Sequence, residues 1–142
     1  MSEFSITSDA FKEGEEIPKK FGYKHGNEIP AIAFENIPDE TSALAIIMDD
    51  PDAMAAVGKV WVHWLLYNNA KDLDFSINGK TDFGETKYGG PAPPDGRHTY
   101  VFKGYALDAH LELKTGYSKQ ELEDAMKGHI LAEAKLTGTV TP

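Results

Sequence analysis

A ten-residue segment in the middle of the chain, Lys59–Asn68 (KVWVHWLLYN), constrains the fold more than any other feature. It carries apolar or aromatic side chains on both faces of an extended strand. A strand that is apolar on both faces is covered on both sides, which is typical of the centre of a sheet. Strict alternation assigns Val60, Val62, Trp64 and Leu66 to one face and Trp61, His63, Leu65 and Tyr67 to the other.

Four further segments have the pattern of β-strands. They are Ala31–Ile37, Ala43–Asp49, His98–Ala109 and Ile130–Val140. We therefore expect an all-β fold for one domain over residues 1–142: a β-sandwich of two antiparallel sheets with one or two short helices.

The clearest helix signal lies between the last two predicted strands. Ser118 is followed three residues later by Glu121, which is the spacing of a capping box. Leu122, Ala125 and Met126 supply an apolar stripe, and Gly128 suits the end of the helix.

The charge of the chain restricts its partners. The formal net charge is -9, the pI is about 4.9, and there is no cysteine. An acidic surface repels polynucleotides and anionic membrane surfaces, so we expect neither as a partner. Disulfide and thiol chemistry are excluded. The N-terminal residues lack the basic start and apolar core of a signal peptide, which predicts a cytoplasmic protein.

A long aperiodic segment, residues 79–97, separates the third and fourth of the predicted strands. Its second half forms the first part of the stretch YGGPAPPDGRHTY, which runs from Tyr88 to Tyr100. A loop of this length in a compact domain is functional or disordered. Its prolines favour a stiff loop that is ordered before any ligand arrives, and its glycine N–H groups could serve as donors to an anion.

Five side chains could carry chemistry: Asp50, Asp52, His63, His98 and Tyr100. Each also has a structural interpretation. Asp50 could cap a short helix that ends at Gly58, and His63 could be a core histidine bound to a backbone carbonyl. Taken together, the aspartates could serve as partners for the histidines. Imidazole N–H groups and a tyrosine hydroxyl would then point into a pocket.

Three motifs in order, DPDA, WVHW and GPAPPDGRHTY, resemble the phosphatidylethanolamine-binding proteins, in particular the bacterial and archaeal Raf kinase inhibitor-like (YbhB/YbcL) branch. The segments SDAFKEGEEIP and MKGHILAEAKLTGT are also similar to that branch. The resemblance implies a β-sandwich with one small pocket for phosphate, a carboxylate or a phospholipid headgroup, with no metal and no cofactor. Carried over to this chain, its lining residues are Asp50, Asp52, Trp61, His63, Gly90, Ala92, Pro93, His98 and Tyr100.

The function expected from this resemblance is non-catalytic binding of a small anion. The family includes kinase regulators and serine-protease inhibitors, so an enzyme of either kind is a candidate protein partner. The alternative is a hydrolase or metalloenzyme that uses the Asp and His residues. The sequence leaves open whether the chain forms a homodimer. If the aspartates raise the pKa of a histidine, at least one imidazole would be cationic and would bind the anion directly.

Two positions depart from the family pattern near the expected pocket. Ala92 stands where a second glycine of the loop is common, and Thr99 stands where an arginine is common. The second change removes a charge beside His98.

Overall fold

The computed structural model describes residues 3–142, which form two antiparallel sheets. β1 pairs with β2, and the other five strands form one sheet in the order β5-β4-β3-β6-β7. This confirms the predicted all-β class. The strands are β1 (Ser5–Ser8), β2 (Ile32–Glu35), β3 (Ala43–Asp50), β4 (Trp61–Asn68), β5 (Ile77–Asn78), β6 (His98–Leu107) and β7 (Ile130–Val140).

The five-stranded sheet lies between two apolar cores. All eight residues of β3 are buried, as expected for the central strand of a covered sheet. One face packs against the two-stranded sheet through a cluster that contains Ile6, Ile46 and Phe102. The opposite face packs against the helix Lys119–Met126 and the chain segment just before it, through a cluster that contains Ile47 and Leu122.

Two α-helices are present in the described part of the chain: α1 (Ala53–Val57) and α2 (Lys119–Met126). α2 begins with the predicted capping box, in which Ser118 and Glu121 each accept the other's backbone N–H. α1 ends at Gly58, whose φ of 78° is left-handed. Within residues 3–142, neither helix has the length and hydrophobicity needed to cross a membrane.

A buried ionic cluster holds α2 against the sheet. Asp49, at the end of β3, is 1% exposed. Its Oδ2 accepts from the Nζ of Lys103 on β6 and from the Nζ of Lys119 on α2, at 3.2 Å in each case. The carboxylate therefore has two cationic partners, which offset the cost of burying its charge.

The predicted strands match the observed strands except near their ends. The segment predicted from residue 31 to 37 shortens to β2, because Asn36 has a left-handed φ of 57° and ends the extended backbone. β1 and β5 were not expected. They contain four and two residues, which is too short for periodicity to identify them.

A β-bulge interrupts the alternation of β4. Met48 of β3 pairs with Trp64, whereas the next residue, Asp49, pairs with Val62. His63 is therefore the additional residue and has no partner opposite it on β3. The predicted faces are wrong at this point. Trp64 joins the core under the small sheet, whereas Val62 shares the opposite core with Leu65.

Candidate functional site

A small cavity lies where the bulge of β4 meets the end of β3, helix α1 and the loop of residues 89–96, which we call the proline-rich loop. Its volume is about 180 Å³. Acidic, aromatic and small apolar side chains share its wall. We call it the small cavity, and its lining residues are Asp50, Ala53, Ala56, Val57, Trp61, His63, Phe83, Ala92 and Pro94.

His63 joins the bulge to the loop. Its Nδ1 lies 2.7 Å from the carbonyl oxygen of Gly89, and the Gly89 N–H donates to the carbonyl of His63 at 2.9 Å. Because a carbonyl only accepts, Nδ1 carries a proton. Burial lowers the pKa of His63 and outweighs the effect of its acceptors. The ring is therefore neutral near pH 7, and its Nε2 has a free lone pair.

His98 is held between two carboxylates. Its Nδ1 lies 2.6 Å from Asp50 Oδ2, and its Nε2 lies 2.8 Å from Asp95 Oδ1. Burial lowers the pKa of His98, but the hydrogen bonds to Asp50 and then Asp95 outweigh it, so the net pKa is raised. The raised pKa agrees with the sequence hypothesis of one cationic histidine. Both ring nitrogens are already bonded, however, so His98 has no N–H left to donate to a ligand.

Two polar atoms beside the small cavity are buried without a hydrogen-bond partner in the described structure: the Tyr100 hydroxyl and the Trp61 Nε1. The Tyr100 ring is fully buried and lies edge-on to His63, with ring centroids 5.1 Å apart. Burial and the nearby Asp50 carboxylate raise the pKa of Tyr100 far above its ordinary value. The hydroxyl therefore keeps its proton. It makes no hydrogen bond of good geometry, although the Asp50 carboxylate and the Ala92 backbone N–H lie close enough to shift its pKa. A buried unpaired polar atom in a native fold calls for an explanation, such as a ligand or water.

Among residues 89–94 of the proline-rich loop, one backbone donor is not used within the described structure. The amide of Gly89 donates to His63, and that of Gly90 donates to the Asn27 side chain at 2.7 Å. Residues 91, 93 and 94 are prolines and have no N–H. Ala92 has an N–H for which no acceptor of good geometry is found, and it lies on the wall of the small cavity.

Phe83 is a lining residue that the sequence did not single out. Its ring stacks on Tyr23 at 4.0 Å between centroids and meets the rings of Trp61 and His63 edge-on, at 5.6 and 5.4 Å. It fixes the orientation of both and makes one side of the small cavity apolar. The sequence signal that could have identified Phe83 is its position as an aromatic residue within the long segment 79–97, which was already expected to be functional.

Five predicted site residues are not among those that line the small cavity: Asp52, Gly90, Pro93, His98 and Tyr100. His98 and Tyr100 lie behind its wall, beside Asp50 and His63. Asp52 precedes α1, and its Oδ2 accepts the Thr99 N–H at 2.7 Å, which joins the helix start to β6. Pro93 lines a neighbouring cavity. Gly90 packs its backbone against residues 21–27. Asp50 is not the helix cap, which is the position of Asp52. Asp50 instead bonds His98 and, through Oδ1, the Asp52 N–H.

The profile of the phosphatidylethanolamine-binding proteins matches residues 7–141 of the chain. The chain belongs to this family.

Among residues 3–142, no three His, Asp or Glu side chains are grouped so that they could hold a metal ion.

Relatives within the phosphatidylethanolamine-binding family include proteins named "UPF0098 protein" from Chlamydia muridarum and Methanothermobacter thermautotrophicus. The first is 40% identical, over 94% of this chain and 96% of the relative. The second is 38% identical, with the same coverage of both chains.

Crystal structures of two family members have the same fold. A putative phosphatidylethanolamine-binding protein homologue from Chlamydia trachomatis superposes with a TM-score of 0.91 at 35% identity, covering 99% of this chain and 98% of that chain. E. coli YbcL superposes with a TM-score of 0.87 at 26% identity, covering 97% and 98%.

Proposed function

We propose that the small cavity binds a small oxyanion that also carries a hydrogen-bond donor, and that it does so without catalysis. Two ligands of this kind are a singly protonated phosphate monoester and the zwitterionic phosphoethanolamine headgroup. The name of the family points to a phospholipid headgroup, and both ligands share its phosphate.

The unused donors beside the small cavity carry this proposal. Neither the Ala92 N–H nor the Tyr100 hydroxyl makes a hydrogen bond of good geometry within residues 3–142, and the two groups lie near each other. The Tyr100 hydroxyl is buried, and a buried donor without an acceptor costs about 1–3 kcal/mol, a cost that a bound oxyanion removes. The Ala92 N–H belongs to a half-buried residue on the cavity wall and can donate to the same oxyanion. The backbone amide of Ala92 serves as well as that of a glycine, so the departure from the family loop leaves the donor in place.

His63 is the reason that the ligand must also carry a hydrogen-bond donor. In its neutral form the Nε2 atom accepts a hydrogen bond, so the ligand atom facing it must bear a proton. A fully deprotonated anion would place a lone pair against a lone pair. The geometry favours this arrangement over the direct contact from a charged histidine that the sequence suggested, because both nitrogens of His98 are occupied.

The size and chemistry of the small cavity support a headgroup-sized ligand and no turnover. Its volume of about 180 Å³ is below the roughly 300–1,000 Å³ of drug-sized pockets. Its lining includes no serine, threonine or cysteine nucleophile. The Tyr100 hydroxyl is held in its protonated form by burial, and both nitrogens of His98 are occupied. The free Nε2 of His63 could act as a base, but the lining offers no hydroxyl or thiol for it to activate.

A thermal-shift panel of phosphate, phosphoethanolamine and acetate tests the proposal. A ligand at a hundred times its dissociation constant stabilises by about 2.7 kcal/mol, which raises the melting temperature by about 5–10 °C for a chain of this length. Tyr100→Phe should fold normally, because the lost hydroxyl makes no hydrogen bond of good geometry, and it should lose most of the ligand-induced shift.

Tyr117→Phe is the matched control. The Tyr117 hydroxyl donates to the carbonyl of Ile77 in the other core, so its loss lowers stability by about 1 kcal/mol and leaves the ligand-induced shift intact. Equal ligand-induced shifts in wild type and Tyr100→Phe would refute the assignment of the donors. Turnover of a phosphate monoester that is lost in His63→Ala would refute the non-catalytic function.

A further inference from the structure

A second cavity adjoins the small cavity and shares Ala92 and Pro94 with it. Its volume is about 300 Å³. Its other walls come from the segment around the 3-10 turn Lys19–Phe21 and from the last residues of β7 and beyond. We call it the basic cavity because of the side chains described next.

The ionisable side chains of the basic cavity are opposite in sign to the net charge of the protein. Lys19, Lys24 and His25 line it, and no Asp or Glu side chain does. Overall, the chain has 23 acidic residues and 14 lysines and arginines. Neither lysine forms an ion pair with any of the described residues. The cavity therefore concentrates positive charge in a protein with a net charge of -9, and its preferred ligand is an anion.

The walls of the basic cavity are rigid before any ligand binds. The Tyr23 N–H donates to the carbonyl of Pro91 at 3.0 Å, and the Tyr88 hydroxyl donates to the carbonyl of Phe21 at 2.8 Å. The Asn27 side chain bridges to the loop by donating to the Tyr88 carbonyl and accepting from Gly90. Five of the twelve lining residues are prolines. A rigid apolar wall lowers the ordering cost of binding and suits a flat ring or a short carbon chain.

We propose that the basic cavity binds a phosphorylated small organic molecule, with the phosphate between the two lysines and the organic part against the prolines. A volume of about 300 Å³ is at the lower end of the range for small-molecule sites, and it exceeds what a bare phosphate needs. This second site is independent of the oxyanion proposed for the small cavity. A small molecule can occupy it whether or not the small cavity is filled.

Phenyl phosphate is the probe, and backbone amide NMR of the full chain locates it. Shifts at Gly22, His25 and Thr141 report the basic cavity, whereas shifts at Ala53 and Phe83 report the small cavity. Ala92 belongs to both walls and is not used. We expect saturable shifts in the first group, weaker binding of inorganic phosphate, no binding of phenol, and an affinity that falls as salt is raised.

The double variant Lys19→Ala/Lys24→Ala should weaken phenyl phosphate binding at the basic cavity by on the order of tenfold or more, because two charge-assisted contacts are lost. Lys114→Ala/Lys127→Ala removes the same charge at exposed positions outside the cavity and should change the affinity less than about twofold.

Three results would overturn the proposal: shifts confined to the small cavity, equal affinities in the two double variants, or equal binding of phenol. The first of these would leave the proposed function standing. Conversely, loss of the small-cavity shifts in Tyr100→Phe with the basic-cavity shifts unchanged supports two separate sites.

Discussion

Replacing Gly90 by alanine tests whether the proline-rich loop is positioned by close backbone packing. A Cβ at this position would lie 1.9 Å from the carbonyl oxygen of Phe21 and 2.9 Å from the nitrogen of Tyr23. Both are backbone atoms, so neither can rotate away, and the two segments must separate by about 1 Å to reach ordinary contact. Separation strains the hydrogen bonds that Gly90 makes to Asn27 and that Tyr88 makes to Phe21.

The expected cost follows from these contacts. Overpacking costs about 1–3 kcal/mol, and one or two weakened hydrogen bonds add about 1 kcal/mol each. We therefore expect Gly90→Ala to lower the free energy of unfolding by about 3–4 kcal/mol, a large part of the typical 5–15 kcal/mol. Urea denaturation followed by circular dichroism measures it. Because Ala92 moves with the loop, binding of phosphate monoesters should weaken as well.

Gly96→Ala in the same loop is the control. A Cβ there has no atom within 4 Å, and the backbone of Gly96 is not left-handed. This variant should be neutral or stabilising by about 0.5 kcal/mol, because alanine restricts the unfolded chain. If Gly90→Ala lost less than about 1 kcal/mol relative to Gly96→Ala, the loop would be yielding, and the argument for a rigid loop would fail.

Two further predictions concern buried charge. Asp49→Asn should lower the free energy of unfolding, measured by urea denaturation, by about 2 kcal/mol. Lys103→Ala should lower it by less than about 1 kcal/mol, because Lys119 still pairs with Asp49. Equal losses would contradict an Asp49 carboxylate that is shared by two lysines. In an NMR titration, His98 should titrate above the ordinary pKa of about 6.5 and His63 below it. The charge of His98 therefore stabilises the fold fully below about pH 6.5, and this contribution is lost as the pH rises through the raised pKa. His98→Gln should remove that part of the pH dependence, and an unchanged stability profile would contradict it.

The parts of the fold that could be predicted from the sequence are those with a repeating pattern. β3, β6 and β7 follow the hydrophobic pattern, and the capping box identifies α2. The bulge at His63 could not be predicted, because an additional residue in one strand is defined only by the register of its neighbour. Alternation therefore assigned the wrong faces on one side of His63.

At the candidate site, the sequence could predict several of the lining residues but not the hydrogen bonds that they make. Asp50, Trp61, His63 and Ala92 line the small cavity as expected. The sequence could not show that Asp95 occupies the second nitrogen of His98, since that contact depends on the path of the loop. This bond removes His98 as a donor to the ligand and leaves the ligand to supply a proton to His63.

The most direct measurement of that central claim compares methyl phosphate with methyl sulfate by isothermal titration calorimetry. Near pH 6 about half of methyl phosphate is singly charged, and this form differs from methyl sulfate mainly in the proton that it offers to His63. We expect methyl phosphate to bind on the order of tenfold more tightly or better, because methyl sulfate leaves the Nε2 lone pair unpaired.

Raising the pH from about 6 to about 8 should weaken methyl phosphate binding by about 50-fold relative to methyl sulfate, because a phosphate monoester loses its second proton with a pKa of about 6. Using the ratio of the two probes cancels any effect of discharging His98. Equal affinities near pH 6, or a ratio that does not change with pH, would contradict the claim that neutral His63 accepts a proton from the ligand.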